Sequence, residues 1–143
     1  MPNAYDKQSL SQTMFMIRVY VKKQGNFAVN TPKVKKKLQE YFIKAGIVSN
    51  ADVSLSIVGE KKMISLAHTY LKENNIVHNV LSFPFMETDT FVEPPDNVIH
   101  LGDIIICYPK VVDEAKSQGR LIDDKVIELA EHGAAHLLGE HHE

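Results

Sequence analysis

The sequence has very little of what builds a disulfide framework or a membrane anchor. Its 143 residues include one cysteine, Cys107, and no tryptophan. A lone cysteine has no partner for a disulfide within the chain and cannot form a multi-cysteine zinc or iron–sulfur site. No apolar run approaches the roughly 20 residues that a membrane-spanning helix needs. The first 13 residues lack the apolar segment of a secretory signal, so the sequence favours a cytoplasmic protein without a membrane partner.

The composition is that of one ordinary folded domain. Hydrophobic residues make up 44% and charged residues 24% of the chain, which argues against disorder or a fibrous repeat. The length allows one core of useful size and is short for two. We therefore expect a single domain over residues 1–143, in which 1–13 form a flexible extension.

The net charge of −2 hides a strong division between the two halves. Residues 1–72 contain 12 Lys and Arg against 4 Asp and Glu, whereas residues 73–143 contain 4 against 14. A division of this size is compatible with a polyanionic partner that meets the basic half. It is equally compatible with a folded surface on which the two halves interleave.

The spacing of apolar residues predicts eight elements in the order β-α-β-α-β-β-α-α. Strand patterns cover 14–21, 51–58, 78–85 and 98–108, and helical patterns cover 31–46, 60–73, 109–118 and 121–138. Thr31 is predicted to cap the first helix, with Pro32 in its first turn. The prediction is an α/β (α+β) fold, in which helices pack on a small mixed sheet of about four strands. The longest irregular segment, 86–97, is long enough for a functional role.

Histidines near the C-terminus carry the most chemical information. On a helix, His132 and His136 lie on the same face, one turn apart, and Gly139 can end the helix in a left-handed conformation. The turn then brings His142 toward the same point. Three imidazoles leave positions open for water or substrate, as a catalytic zinc site requires. His141 is adjacent to His142 and competes with it for the role of third ligand.

Two further features of this helix bear on the kind of site it can form. Metzincin proteases share the ligand spacing but have a glutamate directly after the first histidine, where this chain has Gly133, so a peptidase of that type is excluded. A stripe of apolar residues opposite the histidines is predicted to pack on the sheet and leave the ligands facing a cleft. The stripe consists of Val126, Ala130, Ala134 and Leu137.

Four segments of the sequence resemble the YbeY family of rRNA maturation factors. The segment 132–142, HGAAHLLGEHH, is similar to the family signature H-G-x-L-H-L-x-G-Y-D-H. The segment 79–84, NVLSFP, resembles D-V-L-S-F-P, and 101–104, LGDI, resembles L-G-D-I. Residues 66–70, LAHTY, are similar to the family's L-N-x-x-Y. These motifs occur in the family's order, and the similarity as a whole covers roughly residues 14–142.

The resemblance implies one metal ion per chain, usually zinc, held by His132, His136 and His142. It implies a single-strand-directed endoribonuclease that matures the 3′ end of 16S rRNA and acts in ribosome quality control, with single-stranded rRNA and the small ribosomal subunit as partners. The chain departs from the family at Leu71, where an arginine suited to phosphate is usual. Lys72 is adjacent, but a lysine lacks the bidentate fork of arginine.

The remaining candidate residues surround this proposed chemistry. His78 and His141 are candidate general bases. The candidates for RNA contact are Lys33, Lys36, Lys72, Ser82 and Phe83. The lysines are equally interpretable as a solvated helix face, and Phe83 as a core residue. The cysteine, in a buried strand pattern, is predicted to be an inert core thiol.

Several functional alternatives stay open. Imidazoles also accept nickel, copper or cobalt in place of zinc. The protein is alternatively a metal-binding ribosome-assembly factor that does not cleave RNA, or a metal-dependent hydrolase of another substrate.

Overall fold

The computed structural model describes residues 15–85 and 97–139. The whole of the proposed N-terminal extension, the segment 86–96, His141 and His142 lie outside these residues. The strands are β1 (Ile17–Lys23), β2 (Ala51–Val58), β3 (Val80–Pro84) and β4 (Ile99–Cys107). The helices are α1 (Thr31–Lys44), α2 (Glu60–Leu71), α3 (Tyr108–Gln118) and α4 (Ile122–Leu137). Their order is the predicted one, and no helix in the described segments has the length and apolarity to cross a bilayer.

The four strands form one mixed sheet in the order β1-β2-β4-β3. β2 pairs in parallel with both β1 and β4, whereas β3 pairs antiparallel with β4. The strand β2 is buried at alternate positions along most of its length, because successive side chains point to opposite faces of the sheet. The prediction of an α+β fold with about four strands is confirmed.

Helices cover both faces of the sheet. On one face, α1 and α4 pack on the strands and bury Leu38, Phe42 and Val126 against residues such as Leu55. On the other face, α2 packs a smaller cluster that includes Met63 and Cys107. Cys107 is fully buried, and burial raises the pKa of its thiol. Its burial confirms the prediction of a core thiol. The raised pKa favours the protonated thiol, which is the unreactive form.

The strand β4 contains a bulge at Gly102. Between Asp52 and Ser54, β2 advances two residues, whereas β4 advances three, from His100 to Asp103. Gly102 has φ +135°, a conformation that L side chains rarely adopt. The bulge changes the phase of the strand, so that Leu101 and Ile104 both pack on the α1 and α4 face.

The start of α1 corrects one sequence prediction. Asn30, and not Thr31, caps the helix, because the Asn30 side chain accepts a hydrogen bond from the Lys33 backbone N–H. Pro32 lies in the first turn as predicted. The backbone N–H of Asn30 also donates to a side-chain oxygen of Asp123 at 3.0 Å. This bond joins the first turn of α1 to the first turn of α4, the helix with the candidate ligands.

Candidate metal centre

The two described histidines of the predicted metal site face each other on α4. The Nε2 atoms of His132 and His136 are 3.2 Å apart, and their ring centroids are 4.7 Å apart. His132 is exposed and His136 half-buried. The opposite side of α4 is fully buried at Val126, Ala130 and Ala134. The predicted packed stripe is therefore confirmed at these three residues, Leu137 is half-buried, and the two histidines lie on the more open face.

The separation of the two nitrogens fits a shared metal ion. Zinc–nitrogen bonds of about 2.0–2.1 Å at a tetrahedral angle place two ligand nitrogens about 3.3 Å apart. The observed 3.2 Å between the Nε2 atoms is close to this value. The spacing of the two nitrogens is therefore compatible with two ligands of one zinc ion, and it also lies within hydrogen-bonding distance.

Gly133 sets how closely the ligand helix approaches the sheet. A Cβ atom at this position would lie 2.8 Å from Cγ2 of Ile104 in β4. That methyl group is attached to a β-branched, fully buried side chain and has little freedom to move. The glycine that excludes a protease base thus has a structural role, since it seats the ligand helix directly on β4.

The end of α4 agrees with the predicted turn toward a third ligand. The helix ends at Leu137, and Gly139 takes φ +84°, the left-handed conformation predicted for it. Within residues 15–85 and 97–139, no group of three or more His, Cys, Asp or Glu side chains is arranged to hold a metal. His142 and its competitor His141 lie outside those residues, so the identity of the third ligand stays a prediction.

A cavity of about 460 Å³ is lined in part by His132, the first histidine of the pair. Its lining combines polar groups of α4 with residues of α1, of β3 and of the position before β3. The lining residues are Tyr41, Asn79, Val80, Lys125, Glu128, Leu129, Glu131, His132 and Ala135. The cavity is large enough for part of a nucleotide-sized ligand beside the candidate metal.

A buried lysine in this cavity was not found by the sequence analysis. Lys125 is 4% exposed, and it is the one buried charged residue in the described part of the chain. Its Nζ lies 3.4 Å from Oε1 of Glu114 and 3.5 Å from Oε2 of Glu128. A third contact, at 3.1 Å, joins it to the Gln118 side-chain oxygen. The sequence does place Lys125 near the histidines, because residues 125, 128 and 132 are spaced to lie on one face of a helix.

Glu131 adds a further carboxyl group to the cavity wall beside Glu128. Burial raises the pKa of its carboxyl, while the positive charges of Lys37 and Lys44 lower it and Glu40 raises it. The helix α1 packs beside α4 in the main core, and its Lys33 pairs with Asp124 of α4.

The structure places the predicted lysines in different settings. Lys33 forms an ion pair with Asp124 of α4, with Nζ 3.5 Å from the carboxylate. Lys36 is exposed on α1. Lys72 is exposed directly after α2, in a left-handed conformation that ends the helix. Lys33 and Lys36 therefore belong to the helix beside the candidate metal centre, and their contact with RNA stays a prediction.

The other predicted side chains occupy β3 and the segment before it. His78 contacts Glu73, with Nε2 2.5 Å from Oε1. Ser82 is half-buried. The Phe83 ring packs on the smaller core cluster and lies 5.1 Å from the Tyr70 ring, on the α2 face of the sheet. The catalytic role of His78 and the RNA contacts of Ser82 and Phe83 stay predictions.

The fold and this site define an α+β protein with a histidine pair suited to a divalent metal. Residues 19–143 match the family model described as Endoribonuclease YbeY, so the chain belongs to that family. The identification from the C-terminal, NVLSFP and LGDI motifs is confirmed.

Curated relatives agree with this assignment, and a solved structure shares the fold. The chain is 32% identical over 138 residues to Endoribonuclease YbeY of Dehalococcoides mccartyi, covering 89% of this chain and 78% of the relative. It is 39% identical over 98 residues to Endoribonuclease YbeY of Xanthomonas euvesicatoria pv. vesicatoria, covering 68% of this chain and 60% of that protein. The solution structure of TM1509 from Thermotoga maritima matches the fold with a TM-score of 0.57 at 23% identity, covering 87% of this chain and 75% of that one.

Proposed function

We propose that this protein is a metal-dependent endoribonuclease that cleaves single-stranded RNA. The observation that carries the proposal is the pair of imidazole nitrogens 3.2 Å apart at the edge of a cavity, in a chain of the Endoribonuclease YbeY family. The relatives' names supply the reaction class, and the nitrogen pair supplies a place for the metal. His142 is proposed as the third ligand, with zinc as the metal.

The chain's own residues divide the work between holding the metal and holding RNA. His132 and His136 would hold zinc, which when bound supplies a Lewis acid for phosphodiester chemistry at neutral pH. The exposed amines of α1, such as Lys36, are suited to the RNA backbone, since lysine contacts to phosphate depend on charge and not on sequence. Lys33 and Lys37 already contact carboxylates of Asp124 and Glu40, so their share in RNA binding requires those weak, exposed pairs to open.

We propose rRNA as the substrate, with a role in the maturation of the 16S rRNA 3′ end and in ribosome quality control. The small ribosomal subunit would present the RNA, and this activity would take place in the cytoplasm. The support for these finer statements is the family resemblance of the sequence motifs. The basic α1 beside the ligand helix is compatible with them, because a ribosomal subunit is a polyanion.

The test of the reaction uses labelled RNA and a chelator. We expect the purified full chain to cleave a single-stranded RNA oligonucleotide, to leave its duplex form largely uncut, and to lose activity in EDTA and recover it with zinc. The variant His136→Ala controls for contaminating ribonuclease and should cleave at least about 100-fold more slowly, as expected when the electrostatic machinery of a site is removed. The products are quantified on a denaturing gel.

Each other outcome has a defined meaning. Cleavage that persists in EDTA, or in His136→Ala at the wild-type rate, would refute the metal mechanism. Binding to the small ribosomal subunit without cleavage of any RNA would replace the proposal by a non-cleaving assembly factor. Chelator-sensitive hydrolysis of another substrate, with RNA left intact, would favour the third alternative.

A further inference from the structure

Asn79 lies on the cavity wall, and the nitrogen of its side-chain amide is hydrogen-bonded within the protein. It directly precedes β3, and its backbone oxygen accepts a hydrogen bond from Cys107 N–H at 2.9 Å. Its side-chain Nδ2 lies 3.2 Å and 3.1 Å from the two carboxylate oxygens of Glu114 on α3. A carboxylate only accepts hydrogen bonds, so Nδ2 must face Glu114 and the carboxamide oxygen must face away from it. The orientation of this amide is therefore determined.

Glu114 is in turn held by Lys125. The ammonium of Lys125 lies 3.4 Å from Oε1 of Glu114, and the Lys125 side chain is 5% exposed. Removal from water makes the attraction between such charges stronger than at the surface, provided that the charges are paired. Lys125 and Asn79 both line the cavity, and Glu114, which contacts both, is not among the described lining residues. The three side chains form a chain of contacts that supports the cavity wall from behind.

The lysine of this wall is already paired with acidic side chains of the protein. Lys125 contacts Glu114, Glu128 and Gln118, so its positive charge is balanced within the protein. This arrangement makes Lys125 a poor ligand for a phosphate group. The position of Lys125 instead favours an indirect role. Lys125 holds Glu114, and Glu114 holds the side-chain amide of Asn79.

We propose that Lys125 and Glu114 are positioning residues that fix the Asn79 carboxamide oxygen as a hydrogen-bond acceptor for a nucleotide bound in the cavity beside His132. This inference rests on the proposed function, because it assigns the nucleotide to an RNA substrate. The group recognised is a hydrogen-bond donor, either a ribose 2′-hydroxyl or the exocyclic amino group of a base. A fixed acceptor discriminates strongly against a ligand that lacks the donor, because the acceptor then stays unpaired.

The experiment combines protein variants with RNA analogues. Each nucleotide of a single-stranded RNA is replaced in turn, in one series by its 2′-deoxy form and in another by a base that lacks the amino group. Binding to the full chain is measured by fluorescence anisotropy with EDTA present to prevent cleavage, and cleavage is measured separately with zinc. One replacement should weaken binding to the wild-type chain by about tenfold, and the series in which it occurs identifies the donor.

The variant Asn79→Ala should bind the unmodified RNA about tenfold more weakly and should no longer respond to that replacement. Glu114→Gln should lose part of the same discrimination, because a glutamine side chain accepts either orientation of the Asn79 amide. The variant Lys125→Met alone leaves the Glu114 carboxylate without its cation and is expected to destabilise the fold. The double variant Lys125→Met/Glu114→Gln removes both charges, so its RNA binding can be compared with that of the wild-type chain. Asn74→Ala, at an exposed asparagine that contacts His68, is the matched control and should behave as wild type.

The proposal is overturned if Asn79→Ala and the RNA replacements weaken binding independently at every position, because a purely structural role would give that result. This outcome differs from failure of the proposed function. Coupling in binding without any cleavage would retain the acceptor and reject the nuclease, whereas chelator-sensitive cleavage without coupling would do the reverse.

Discussion

Replacing His136 by alanine is expected to weaken zinc binding by at least about 100-fold. Loss of a residue that merely orients a ligand costs 10- to 100-fold in metal affinity, and loss of a ligand should cost more. His136 is half-buried and points its Nε2 toward His132, away from the packed stripe of α4. We therefore expect the variant to fold. The affinity is measured by competition with a chromophoric zinc chelator.

The stability of the protein provides a second measurement of the same effect. A ligand that binds only the folded state at 100 times its dissociation constant stabilises it by about 2.7 kcal/mol. Zinc should therefore raise the unfolding temperature of the wild-type chain and leave that of His136→Ala unchanged. His68→Ala is a matched control, since His68 is exposed on α2 and contacts Asn74, and it should respond to zinc as wild type does. Equal responses of wild type and His136→Ala would contradict the site.

Replacing Gly102 by alanine is expected to destabilise the fold by about 3 kcal/mol, the sum of backbone strain and overpacking. A Cβ at this bulge would lie 2.3 Å from the backbone oxygen of Phe83 and 2.9 Å from a methyl of Leu137. The backbone oxygen cannot move without disturbing the β3–β4 pairing, and Leu137 is the last residue of α4. The loss is measured as the free energy of unfolding in urea.

Other glycines separate the two causes of this loss. Gly46 has φ +104° and no atom within 4 Å of an added Cβ, so Gly46→Ala measures strain alone. Gly133→Ala tests crowding against Ile104 without a positive φ, and its loss is offset by the gain of about 1 kcal/mol in helix propensity of alanine over glycine. Gly59→Ala meets neither strain nor crowding and, as a change at the N-cap of α2, should cost less than about 1 kcal/mol. A loss in Gly102→Ala no larger than that in Gly59→Ala would contradict the bulge geometry.

The order of elements could be predicted because each has a strong local signal. The alternating apolar residues of β2 and the apolar stripe of α4 are local patterns of the sequence. Each pattern marks the side of the element that is buried in the fold. The same argument places His132 and His136 on one helix face, since their relation depends only on helical spacing. The structure adds the nitrogen distance that makes the pair a fit for a metal.

Long-range contacts could not be read from the sequence in the same way. The link from Lys125 through Glu114 to Asn79 joins α4, α3 and the start of β3, which lie far apart in the chain. The cap at Asn30 was missed because an adjacent Thr31 also suits that position, and only the backbone geometry decides between them. Phe83 could be assigned to a sheet face only after the pairing of β3 with β4 was known.

The most direct test of the metal centre is a crystal structure of the zinc-loaded chain with anomalous diffraction recorded at the zinc absorption edge. The account predicts one strong peak per chain, within about 2.1 Å of a ring nitrogen of each of His132, His136 and His142. A peak at any other place would contradict the metal centre, and a zinc ion bound by His132 and His136 without His142 would contradict the third ligand.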